Sequence, residues 1–257
     1  MHVKELFDLT GKVAIVTGGG RGLGEQIAKG FAEAGANVVL CSRNENACKE
    51  VSEELKSIGV DSLAIRCDVT NPEDVQNVVN QTKEKFGRID ILVNNSGASW
   101  GAPAEDMPLE AWHKVLNVNV TGTFIMSQAV GKIMLEQNSG KIINIASVAG
   151  LQGTNPKYLD AVGYSASKGA VVNLTRDLAV KWGSRGVHVN AIAPGFFPTK
   201  MSKDVLAHGG EEILEGTPLR KFGSENDLKG AALFLAAPAS DFVTGAILVV
   251  DGGSSVM

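Results

Sequence analysis

The sequence predicts an α/β fold: one doubly wound sheet of seven parallel strands with helices on both faces. Three observations carry that expectation. Short, nearly continuous β-branched and apolar runs alternate with amphipathic stretches along the chain, the pattern of strands buried on both faces beneath crossover helices. A glycine cluster separates the first apolar run from the first helical one. No Pro/Ser-rich linker, low-complexity tract or repeat interrupts the 257 residues, so 1–257 reads as one domain.

The elements follow in order. Val13, Ala14, Ile15 and Val16 make a first strand, after which Ile27, Phe31 and Ala34 recur at helical spacing until Gly35. A second strand over 37–42 leads to a charged helix over 45–57, stopped near Gly59, and a third strand over 62–67 ends at Asp68. Asn71 and Pro72 open a helix that runs to Phe86 and stops at Gly87, with proline at a first-turn position where its missing N–H costs nothing. Strand four spans 89–93, a polar loop 94–103, one long helix 109–136 and strand five 141–146. A loop over 147–162, a helix over 161–183 and strand six over 187–192 come next, with Pro194 and Gly195 ending the strand. The segment 196–218 has little periodicity and reads as a mobile lid with one or two short helices; a helix over 225–236 and a strand over 246–250 close the count.

Composition narrows the partners. A net charge of −4 with 20% charged residues argues against nucleic acid or an anionic membrane surface as partner, and leaves small molecules or other copies. Cys41, Cys48 and Cys67 are odd in number and lack Cys-x-x-Cys spacing, so they read as reduced thiols. His2, His113, His188 and His208 are scattered without ligand spacing, and no metal site is expected. The first residues, Met1 to Asp8, carry charges where a signal peptide needs an apolar run, and no stretch is long and apolar enough to span a bilayer. A cytoplasmic protein is the expectation.

Thr17-Gly18-Gly19-Gly20-Arg21-Gly22-Leu23-Gly24 lies between a strand and a helix, where glycines let a backbone approach a pyrophosphate at a helix N-terminus. The spacing Gly18, Gly22, Gly24 departs from plain Gly-x-Gly-x-x-Gly, so the context carries this reading. About 20 residues on, an acidic group would read the ribose hydroxyl of NAD, and an arginine the 2′-phosphate of NADP. The sequence has Ser42-Arg43 there, with Arg21 as a second cation. NADP(H) is therefore the expected cofactor. Asp68 either accepts a hydrogen bond from the adenine amino group or caps the next turn.

Tyr164 and Lys168 stand four residues apart, on one face of a helix. An ammonium beside a phenol favours the phenolate, and a phenol tuned toward neutrality is a usable general acid or base. Taken with Thr17-Gly18-x-x-x-Gly22-x-Gly24, Asn94-Asn95-Ser96-Gly97 and Pro194-Gly195, this pair makes the chain resemble the short-chain dehydrogenase/reductase family over nearly its whole length. The resemblance implies a Rossmann fold and a catalytic tetrad of Asn119, Ser147, Tyr164 and Lys168. Ser147 would hydrogen-bond the substrate carbonyl, and Tyr164 would protonate it. Lys168 would lower the tyrosine's pKa and hold the ribose, and Asn119 would position a water for proton resupply. It implies cofactor contacts along Gly18, Arg21, Gly22, Leu23, Gly24, Ser42, Arg43, Asp68, Val69, Asn95, Gly97, Tyr164, Lys168, Pro194, Gly195 and Thr199. Asn94 is expected to tie strands together, and Ser96 stands where the family usually has alanine. The family also implies a homotetramer, its long helices burying apolar faces between subunits.

The interval from Ser147 to Tyr164 is wider than is usual in the family because 152–160 is long. Together with Ser99, Trp100, Leu151, Phe196, Phe197 and Met201 this insertion is expected to shape the substrate pocket, with Lys157 either pairing with a substrate carboxylate or exposed. The chain is similar to gluconate 5-dehydrogenases and to 3-oxoacyl-acyl-carrier-protein reductases. Gln137-Asn138-Ser139 offers no basic patch for an acidic carrier protein, which favours a free small carbonyl substrate such as the keto sugar acid 5-ketogluconate. A non-catalytic NADP(H)-binding sensor or scaffold is the alternative of another class, and it would require a broken tetrad.

Overall fold

The computed structural model describes residues 2–200 and 202–257, and the side chains of Asp204 and His208 lie outside the description. Met1 and Met201 therefore lie outside the described residues. Seven parallel strands form one sheet in the order β3-β2-β1-β4-β5-β6-β7. These are β1 Val13–Thr17, β2 Asn37–Ser42, β3 Ser62–Arg66, β4 Ile91–Asn94, β5 Gly140–Ile145, β6 Val187–Pro194 and β7 Ile247–Val250. The order reverses between β1 and β4, which pair in register Val16 to Val93. That reversal opens a crevice beyond the carboxyl ends of the strands, where a ligand has backbone on two sides.

Helices cover both faces. On one, α1 Gly22–Glu33, α2 Glu45–Ile58 and α8 Lys229–Ala236 bury Ile27, Phe31, Leu55 and Leu235 against Val16, Leu40 and Ile192. On the other, α3 Pro72–Phe86, α5 Gly122–Gln137 and α6 Val162–Trp182 bury Val78, Met126, Val130 and Leu178 against Ile15, Leu92 and Val189. The alternation of strand side chains between these two cores is what makes a parallel strand apolar throughout. No described helix is long and apolar enough to cross a membrane.

Several boundaries differ from expectation. Strand four begins at Ile91, because the Asp90 carboxylate anchors the sheet's lower end: it accepts from Val13 N at 3.0 Å and is gripped by Arg88 at 2.6 and 2.8 Å. β6 runs on through Pro194, which pairs with Val250, and the next ladder bond is donated by Gly195 N to Val250 O. A proline can close a strand, since only its N–H is missing. The expected helix 109–136 is α4 Leu109–Leu116, a π-helical turn Asn117–Thr121, then α5. Residues 225–228 lie outside α8, since Asp227 accepts from both Ser224 N and Ser224 Oγ at 2.7 Å and makes a turn. Within 196–218 the regular element is α7 Lys203–Glu215, kinked at Gly209.

Candidate active site

A cleft of about 1080 Å³ runs across the carboxyl ends of β1, β2, β4, β5 and β6. Its floor is the glycine turn, which Asn95 holds in shape: Asn95 Nδ2 donates to Thr17 O at 2.9 Å and Gly18 O at 3.2 Å, while Thr17 Oγ1 accepts from Asn95 N and Ser96 N, each at 2.9 Å. Gly18 and Gly22 take φ of +64° and +58°, which L side chains adopt only under strain. A Cβ on Gly24 would lie 2.5 Å from Gly18 O and closer still to Asn95 Nδ2. Gly24 is buried beneath the turn and does not line the cleft; its part is to let the turn and α1 touch. Gly18, Arg21, Gly22 and Leu23 do line it.

At one end Ser42, Arg43, Asp68 and Val69 line the cleft. Arg21 and Arg43 are exposed, and neither forms an ion pair with a described residue. Asp68 Oδ1 accepts from Thr70 N at 3.0 Å and Thr70 Oγ1 at 2.8 Å, so the capping alternative is realised while the residue still faces the cleft. Those bonds, with the charges of Arg43 and Arg66, hold its carboxyl below the usual range. Asn95, Gly97, Pro194, Gly195 and Thr199 complete the expected set along the walls. The crevice and its glycine turn fit a dinucleotide, and the two arginines fit an additional phosphate.

At the other end the cleft meets a smaller recess of about 360 Å³, and Ser99, Ser147, Tyr158 and Tyr164 line both. Ser147 stands two residues past β5 and caps the turn that follows, its Oγ accepting from Ala149 N at 3.2 Å, and Tyr164 lies on the first turn of α6. Lys168, one turn on, is 5% exposed and donates from Nζ to Ile145 O at 2.6 Å. Burial pushes the Lys168 amine down to about 8. Tyr164 departs from the expected direction: burial raises its phenol, opposed by the Ser147 hydroxyl. Lys168 Nζ stands 5.6 Å from the ring centroid, and the burial of the phenol itself sets the direction.

Asn119 does not line the cleft. It sits in the π-helical turn, 1% exposed, with Oδ1 accepting from Ala98 N at 2.7 Å and Nδ2 donating to Ala98 O and Ser167 Oγ, both at 2.9 Å. Both amide protons are committed, so its side chain holds the 97–98 loop to α6 and has no donor left for a water. Asn94 ties strands as expected, its Nδ2 donating to Asn144 Oδ1 at 2.8 Å and Ser127 Oγ at 2.9 Å, and Asn144 passes the chain to Thr175 at 2.9 Å.

The recess takes residues from the insertion, Gln152 to Asn155, Tyr158 and Leu159, together with Phe196. Phe197 lines the large cleft; Trp100 and Leu151 are exposed and line neither cavity, because their segments turn them to the outer surface. Lys157 is exposed and lines neither. Glu212, Ile213 and Thr217 of the α7 segment and Ser254 also line the recess. No local motif marks these positions, since they arrive by the return of distant chain; Lys200, in the large cleft, was hinted at only by its neighbour Thr199.

Comparison with known proteins agrees with this geometry. The model of a family described as enoyl-(acyl carrier protein) reductase matches residues 18–255. The chain is 41% identical to a 3-oxoacyl-[acyl-carrier-protein] reductase of Synechocystis over 95% of its own length and 97% of the relative's. It is 38% identical to a gluconate 5-dehydrogenase of Gluconobacter oxydans, over 100% and 99%. The crystal structure of a gluconate 5-dehydrogenase from Burkholderia cenocepacia in complex with NADP and tartrate superposes with a TM-score of 0.94 at 36% identity, covering 100% of each chain. Fold and relatives define an oxidoreductase acting on hydroxyl groups. Within that class, the chain belongs to the short-chain dehydrogenase/reductase family.

Proposed function

We propose that this protein is an NADP(H)-dependent reductase of a small, free carbonyl compound, reversible as an alcohol dehydrogenase. The observation that carries this reading is the meeting of Ser147, Tyr164 and Lys168 where the long cleft opens into the recess. A bound nicotinamide dinucleotide supplies the hydride for reduction and accepts it in oxidation. Ser147 donates a hydrogen bond to the carbonyl oxygen, and Tyr164 transfers its proton to that oxygen. A phenol raised by burial holds its proton at neutral pH, which suits the reducing direction. Lys168, anchored on Ile145 O, would hold the ribose of a bound dinucleotide, and Asn119 keeps the wall beside it in place. Asn119, Ser147, Tyr164 and Lys168 are thus the proposed catalytic group, with Asn119 acting by position.

NADP over NAD rests on Arg43 and Arg21, two exposed guanidiniums without described ion-pair partners at the Ser42 end of the cleft. We read residues 1–257 as one domain, with 196–218 as a lid over the recess. A homotetramer is supported by apolar side chains left exposed on α4, α5 and α6: Leu109 at 73%, Phe124 at 43% and Val180 at 84%. Sedimentation velocity tests it. The cytoplasm is the proposed location.

NADPH and NADH oxidation, followed at the nicotinamide absorbance across keto sugars and keto sugar acids, simple ketones and acetoacetyl thioesters, tests the function. Turnover of a free ketone with NADPH is expected. Preference for the thioester would favour a carrier-protein reductase, and tight NADPH binding with no turnover in the panel would favour a sensor.

A further inference from the structure

The recess beside Tyr164 has a one-sided charge. Glu212, itself an exposed residue, lines it, and among the described lining residues there is no lysine, arginine or histidine. The cations nearest in sequence are placed elsewhere: Lys157 is exposed and lines neither cavity, and Lys200 lines the large cleft and not the recess. The rest of the polar lining is uncharged, with hydroxyls from Ser99, Thr154 and Tyr158 and an amide from Asn155. Tyr158 also seats against the lid: a Cβ on Gly209, at the α7 kink, would lie 3.7 Å from its ring. Glu212 follows that kink by three residues, so insertion and lid meet at the recess, which hydroxyl, amide and carboxylate groups line.

We infer that the substrate is an uncharged polyhydroxy ketone, with the corresponding polyol as product, and that Glu212 is the specificity-determining residue that turns sugar carboxylates away. It rests on the carbonyl-reductase reading above. A carboxylate accepts hydroxyl hydrogen bonds from adjacent alcohols, whereas a substrate carboxylate in the same small recess meets a like charge with no cation among the described lining residues, Lys168 lying behind the Tyr164 ring. This narrows the sugar-acid expectation to sugars without the acid.

The test pairs a neutral keto sugar, xylulose, with 5-ketogluconate, using NADPH and the full-length protein, for the wild type, Glu212→Gln and Glu212→Lys. Wild type should favour xylulose by about tenfold or more in kcat/KM, on the scale of like-charge discrimination in binding sites. Glu212→Lys should move the ratio toward the acid by at least about tenfold, an effect that shrinks with added salt, and Glu212→Gln should fall between. A wild-type preference for 5-ketogluconate, or a ratio indifferent to both substitutions, overturns the inference. So does a tenfold preference for a cationic amino ketone over xylulose. Calorimetric binding of xylitol against xylonate to the NADP-loaded protein separates the two readings. No turnover with xylitol bound more tightly than xylonate sinks the reductase reading and keeps the charge selection; equal binding, tighter xylonate binding, or binding of neither sinks the charge selection.

Discussion

Lys168 Nζ donates to the carbonyl oxygen of Ile145 across 2.6 Å, joining α6 to the last residue of β5. The bond places the amine under the junction of the two cavities, and it leaves the amine buried.

Burial holds Lys168 near 8, below the 10.5 of an ordinary lysine. Between those values the unfolded chain binds a proton that the folded chain lacks, so this residue's contribution to stability rises with pH across that window. The stability of wild type minus that of Lys168→Met should increase between pH 8 and 10, at a slope of up to about 1.4 kcal/mol per pH unit. Urea unfolding at several pH values measures it, and a pH-independent difference would contradict the buried amine.

Tyr164→Phe should lower kcat for carbonyl reduction by about 10²–10⁴, the usual worth of a positioned general acid. Dinucleotide affinity and Tm should change little, because the lost hydroxyl faces the cavity junction. Full retained activity in a folded variant would remove Tyr164 from the mechanism.

Arg43→Ala should raise KM for NADPH by about tenfold or more, equivalent to ~1.4 kcal/mol, and leave NADH nearly unaffected. Arg21→Ala should act in the same direction more weakly. Equal losses with both dinucleotides would mean that Arg43 does not read the phosphate.

Gly24→Ala inserts a methyl 2.5 Å from Gly18 O, so the turn must shift. Dinucleotide binding, followed by fluorescence or calorimetry, should weaken by more than tenfold, about 1.4 kcal/mol, with a lower Tm. Unchanged affinity would show that the turn is not held by this contact.

Asn144→Leu strips Asn94 Nδ2 of one acceptor and Thr175 Oγ1 of its donor inside the sheet–helix network. The cost should be about 1–3 kcal/mol, the penalty for a buried polar group left unpaired, or a Tm fall of several degrees at this chain length. Calorimetry decides it; a Tm within a degree of wild type would make the network dispensable.

Much of this site was legible in the sequence because it is local. Four residues of helix set Tyr164 beside Lys168, and one strand-to-helix turn carries Gly18, Arg21 and Gly22. Arg43 and Asp68 follow the ends of adjacent strands, which pair Cys41 with Ile65 and Ser42 with Arg66. What the sequence does not carry is non-local. The resemblance gives Asn119 a water to position, yet Ala98 and Ser167, which take up its amide, are 21 and 48 residues away. Trp100 and Leu151 are expected at the pocket, yet both are exposed and line neither cavity.

The sequence by itself determined the sheet, its alternating helices, the dinucleotide turn and the Tyr164–Lys168 pair, because strand periodicity, glycine placement and helical spacing act within a few residues. Only the tertiary structure decided the titration of that pair and the charge of the recess. Burial depends on everything packed around Tyr164 and Lys168, and it drives the phenol up and the amine down. Glu212 and Ser254 reach the recess only when α7 and the carboxyl end of the chain return to it, contacts that no local pattern encodes.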